Sequence, residues 1–153
     1  MMRNNLKSLV IHIIISASAF FYTAGPYLDQ NGSVFDTDNY LPSFPRTIYC
    51  IILASSLVLY YLAGRIFLES RSGLFENMLS ISLVPAVGML LWALLLAKQN
   101  ASAPFQLPDW KPYLAYIGYT TPLIYRHISC RYILPVFSWI PAIILFFGIR
   151  TAK

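Results

Sequence analysis

His12 is the only ionisable side chain well inside an apolar run of this 153-residue chain, and its neighbours recur at helical spacing. Ser8, His12, Ser16, Ala19 and Thr23 stand at offsets of 0, 4, 8, 11 and 15, which at about 100° per residue puts them on one helix face. An imidazole there can take up a proton or a polar ligand, because ionisable groups inside apolar spans are functional candidates. The competing role is a neutral histidine hydrogen-bonded to a neighbouring helix within a seam of small residues. No acidic residue lies inside an apolar run to relay a proton, which favours the packing role. A second seam groups Ser82, Ala86, Ala93 and Ala97 on one face, with two small-xxx-small pairs. Such faces let helix backbones approach closely, within the chain or against a partner.

The remaining candidates lie near the ends of the apolar runs. Cys50 and Cys130 are the only cysteines. If both face an oxidising compartment they can form a disulfide; unpaired, each is a small apolar side chain. The run Arg126-His127-Ile128-Ser129-Cys130-Arg131 suits phosphate or lipid headgroups, or simply anchors a helix at an interface. Metal binding needs three or four converging ligands, which two scattered histidines and two scattered cysteines do not supply. Asp29, Asp36 and Asp38 share an aromatic, turn-rich segment with Tyr27, Phe35, Tyr40 and Phe44, and we read it as a partner-binding loop rather than a cation site. There is no phosphate-binding loop, nucleophile elbow, HExxH or CAAX tail, so neither an enzyme nor a cofactor is expected.

The elements that must position these residues are membrane helices. The chain is 58% hydrophobic and 11% charged, whereas soluble domains carry about 25% charged residues. A globular fold of this size could not hide so much apolar surface. The cleanest stretch, 79–97, has 19 residues without a charge, or roughly 28 Å of helix against a hydrocarbon core of about 30 Å. Three more runs, about 6–24, 48–67 and 132–149, approach spanning length. Pro85 and Gly88 predict a kink in the third, and Pro135 and Pro141 predict one in the fourth. The first run also has the basic start and Ala17-Ser18-Ala19 of a cleavable signal, but its apolar character continues through Phe20, Phe21 and Tyr22, so we read it as a retained span.

The segment 110–125 holds Trp110, Tyr113, Tyr116, Tyr119 and Tyr125. Its apolar part is too short to cross as a helix and is broken by Pro112 and Pro122. Its aromatic rings suit the headgroup region, which predicts an interfacial or re-entrant element. Tyr116 and Tyr119 are thus candidate contacts to a partner or to headgroups, together with Asp36, Asp38, Trp110, Arg126 and Arg131. The net charge of +5 is scattered, without the basic stripe of a nucleic-acid binder. Arg3 and Lys7 precede the first run, while three acids and one base occupy the segment after it. That local bias places the N-terminus inside.

The expectation is one integral-membrane domain over 1–153: an all-α protein with four transmembrane helices, an additional short interfacial or re-entrant aromatic segment, and both ends cytoplasmic. A bacterial inner membrane is the expected setting. In span number, size and an aromatic outer loop the layout is similar to that of four-span immunity proteins against pore-forming colicins. That resemblance implies a non-catalytic role through contacts with another membrane protein: an accessory subunit, an assembly factor, or an immunity or exclusion factor. Association with itself is the other partner reading. A small transporter or channel component, with a path built by oligomerisation, is the alternative.

Overall fold

The computed structural model describes residues 1–24, 46–98, 111–120 and 132–150. All regular structure among them is helical. Two long helices frame the fold, α1 (Met2–Ala24) and α2 (Arg46–Phe67). Both are long and apolar enough to cross a membrane. They run antiparallel: Asn4 near the start of α1 meets Glu69 beyond the end of α2, and His12 meets Tyr60.

The two other expected spans are not continuous α-helices. The run 79–97 is divided between α3 (Leu74–Leu79) and α4 (Leu83–Lys98), with a turn over 80–82. Pro85 is the third residue of α4. First-turn N–H groups have no helical acceptor, so its missing N–H costs nothing there. Proline therefore marks where α4 starts, instead of kinking a longer helix. The run 132–149 is likewise divided. A 3-10 turn at Leu134–Ser138, with Pro135 in its first turn, leads into α6 (Ile140–Arg150). Leu83–Lys98 and Leu134–Ile149 are both shorter apolar segments than a membrane crossing requires by length.

Between these lies α5 (Lys111–Tyr116), followed by a 3-10 turn at Gly118–Thr120. This segment is inside the bundle and not on its rim. Tyr113, Leu114, Ile117 and Tyr119 are almost fully buried. A side chain on Gly118 would collide with the Ser16 carbonyl and with Phe20 of α1, so the turn lies directly on that helix. The tyrosines expected at the headgroup level are instead buried in the bundle, against the middle of α1.

α6 is packed closely on α2. A Cβ on Gly64 would meet the Leu145 backbone, and one on Gly148 would meet the Tyr61 carbonyl and the Arg65 nitrogen. The C-terminal turn of α6 therefore sits beside the end of α2. Lys7 of α1 reaches the same end, donating to the Phe67 carbonyl at 3.1 Å. The N-terminal end of α1 and the C-terminal end of α6 share one rim of the bundle.

Three asparagines secure that rim, each through both halves of its amide. Asn4 donates to the Glu69 carbonyl at 2.8 Å and accepts from the Glu69 N–H at 3.2 Å. Asn5 bridges the break between α3 and α4, donating to the Leu79 carbonyl at 2.9 Å and accepting from the Leu83 N–H at 3.0 Å. Asn77 holds Arg71 in the same way, at 3.2 and 2.7 Å. Each amide stands in for a peptide group where helices end and leave N–H and C=O unpaired. Arg3 pairs with Glu69 beside them.

Candidate functional site

The seam expected on α1 faces inward. Ser8, His12, Ser16, Ala19 and Thr23 are all buried. Ser8 and Thr23 return their hydroxyls to their own helix. Ser16 instead donates to the Tyr116 carbonyl, tying α5 to α1. His12 Nδ1 lies 2.9 Å from the Tyr60 hydroxyl of α2. The His12 ring also meets the Tyr116 ring edge-on, with centroids 4.3 Å apart. Tyr60 in turn packs edge-on against Tyr119 at 5.6 Å. One imidazole and three phenols, from three stretches far apart in sequence, thus form a single buried cluster.

The phenols have a definable task. Burying a tyrosine leaves an O–H that must donate. A proline-interrupted helix leaves carbonyls that have lost a donor. Pro141 offers no N–H to the carbonyl four residues back, which is that of Phe137, and the Tyr119 hydroxyl donates to that carbonyl. The Tyr113 hydroxyl donates to the Leu134 carbonyl at 2.8 Å and lies 2.9 Å from Ser138 Oγ. Tyr116 donates to the Val84 carbonyl in the first turn of α4. Gly88 makes this convergence possible, since any Cβ there would strike Ser138 and the Tyr116 ring.

One polar atom of the cluster stands apart. His12 Nε2 is buried and has no hydrogen-bond partner among the described residues. His12 pairs with a phenol, and among the described residues no group of three or more His, Cys, Asp and Glu is arranged to hold a metal. The cluster thus has hydrogen-bonding capacity at its centre and, among the described residues, carries no carboxylate there.

The seam on α4 behaves differently. Ser82, Ala86, Ala93 and Ala97 are exposed, and the face that α4 buries is Val84, Pro85 and Gly88. The small-residue face is therefore open and takes no part in packing among the described residues. The reason is geometric: Gly88 admits Ser138 and Tyr116 on the opposite side. Tyr116 and Tyr119, expected as outward contacts, are consumed inside the bundle. Cys50 is exposed near the start of α2 and free. Cys130, its candidate disulfide partner, lies outside the described residues, as do Asp36, Asp38, Trp110, Arg126 and Arg131.

Sequence reasoning missed Asn4, Asn5 and Asn77. The available signal was an Asn-Asn pair at the head of an apolar run, where a helix start usually needs one capping side chain. It also missed the pairing of the buried Tyr119 with the proline-freed Phe137 carbonyl, an acceptor found by counting four residues back from Pro141. No family model, curated protein or solved structure matches this chain.

Proposed function

We propose that this is a small multi-pass membrane protein that acts without catalysis, by contact with another membrane protein. It would be an accessory subunit, an assembly factor, or an immunity or exclusion factor. The observation that carries the reading is the exposed small-residue face of α4. Such faces drive helix association in lipid, and this one is unused within the described chain. The four apolar runs form one bundle in the bacterial inner membrane, two of them broken and packed against α1 and α2. The shared rim of α1 and α6 supports an even number of crossings. Arg3, Lys7, Arg65 and Arg71 on that rim, against Glu69 and Glu76, support a cytoplasmic placement of both ends.

The test is co-purification from native membranes with the wild-type chain and with Ala93→Leu. Ala93 is exposed, so the larger side chain leaves the bundle intact while blocking close approach of a partner helix. A stoichiometric membrane partner captured by the wild type and lost with A93L supports the reading. A wild-type chain recovered alone overturns it.

The unpartnered Nε2 of His12 favours one alternative, a transport component that completes a polar path by oligomerising. That reading requires substrate flux that disappears in His12→Leu while folding is kept.

A further inference from the structure

A groove with a cavity volume of about 520 Å³ opens between α3, the first half of α4 and α6. Phe75 and Met78 wall it on α3, Pro85 and Met89 on α4, and Trp139 and Phe147 on the α6 side. Among its described lining residues Ser82 alone bears a hydroxyl, which already donates to the Leu79 carbonyl. From Phe147 to Trp139 the groove covers about 12 Å of helical rise, comparable with half of a hydrocarbon core of about 30 Å. It therefore has the depth of one leaflet, the leaflet on the side of the shared rim.

The rim beside it is cationic. Arg71 stands four residues before Phe75, with its backbone clasped by Asn77. Its Nη2 is 3.7 Å from Glu69, and its Nε is buried without a hydrogen-bond partner among the described residues. Glu69 is already paired with Arg3, so one carboxylate faces two guanidiniums. Arg65 is close by, its backbone against Gly148 next to Phe147. A guanidinium with an unused N–H is matched by phosphate oxygens.

We infer that this groove seats one acyl chain of an anionic phospholipid whose phosphate is held at Arg71. Such a lipid satisfies both features together, the apolar slot of leaflet depth and the cation whose backbone is tied to Asn77, next to the groove-lining Met78. A partner helix in hydrocarbon would fill the slot but bring no anion to the half-buried Arg71 guanidinium. The inference rests on the membrane setting proposed above, but not on a protein partner. The groove shares Ser82 and Ala86 with the open face of α4, whereas Ala93 does not line it.

The experiment is photo-crosslinking of the purified full chain with phosphatidylglycerol carrying a diazirine on its acyl chain. Adducts are expected on Met78 and Met89, suppressed by unlabelled phosphatidylglycerol at about fivefold lower concentration than by phosphatidylcholine. Arg71→Gln removes that preference, Arg71→Lys retains most of it, and Ile143→Trp, which fills the groove, removes the adducts with either headgroup. Adducts spread evenly over the exposed faces of α1 and α2 would overturn the inference without recourse to any variant. So would equal suppression by the two lipids. Loss of the protein partner in A93L with unchanged adducts separates this site from the helix-docking face.

Discussion

The Tyr119 hydroxyl donates to the Phe137 carbonyl, the carbonyl from which Pro141 withholds a helical donor. A side chain on one segment thus supplies a donor to the backbone of another. Removing that hydroxyl in Tyr119→Phe leaves a carbonyl short of a donor and costs about 1–3 kcal/mol. Pro141→Ala restores an N–H at the right position. Thermal unfolding in detergent should therefore show a large loss for Y119F and a smaller one for Y119F in the P141A background. Equal losses in both would sever the hydroxyl from the proline.

The His12–Tyr60 pair couples α1 to α2 in the same buried cluster. Interhelical hydrogen bonds in membranes average about 0.6 kcal/mol, with a maximum near 1.7. A double-mutant cycle of His12→Phe and Tyr60→Phe should return a coupling energy in that range. A coupling near zero would mean that the two side chains merely fill space.

Much of this cluster was half legible in the sequence. The i, i+4 repeat of Ser8, His12 and Ser16 identified the inward face of α1, because helical periodicity is a local property. The three tyrosines were visible, but their direction was not. An aromatic ring with a polar tip suits either a headgroup layer or a buried carbonyl. Choosing between them requires knowing that Phe137 and Leu134 come alongside, and that contact is long-range. The α4 seam was legible as a small-residue face, but not whether it packs within the chain or against a partner; Ser82, Ala86 and Ala93 are exposed because Gly88 on the other side admits a closer neighbour. The division of 79–97 was missed because Pro85 at a helix start and Pro85 at a kink look alike until Asn5 is seen bridging the break.

Gly148 and Gly73 offer a matched contrast. A methyl group at Gly148 would run into the Tyr61 carbonyl and the Arg65 nitrogen, whereas at Gly73 the nearest atom is Glu76 Cγ at 3.6 Å. Gly148→Ala should cost about 1–3 kcal/mol as α2 and α6 are forced apart. Gly73→Ala should stay within about 0.5 kcal/mol. Unfolding of the two variants side by side in the same detergent tests the closeness of that helix pair.

Asn5 carries both hydrogen bonds across the α3–α4 break. Asn5→Leu leaves the Leu83 N–H without its side-chain acceptor, at about 1–3 kcal/mol where it stays buried, while the Leu79 carbonyl loses Asn5 and keeps the Ser82 hydroxyl. Asn5→Asp keeps the acceptor for the Leu83 N–H and loses only the donor. N5D should therefore fall between wild type and N5L in thermal stability. An N5D variant as damaged as N5L would show that accepting from the Leu83 N–H is not what Asn5 contributes.

Cys50 reports on topology. It lies near the start of α2, and the Phe67 carbonyl at the other end of that helix receives Lys7. The 17 positions between Cys50 and Phe67 rise about 26 Å along a helix, close to a full hydrocarbon core. If the rim bearing Lys7, Arg65 and Arg71 faces the cytoplasm, Cys50 opens to the opposite compartment. In a Cys130→Ser background, a membrane-impermeant maleimide should label Cys50 in intact spheroplasts as fully as after permeabilisation. Labelling only after permeabilisation would invert the bundle and move the phosphatidylglycerol site at Arg71 to the outer leaflet. An inverted bundle would also reverse the charge asymmetry on which membrane orientation ordinarily depends, so this labelling experiment decides both points.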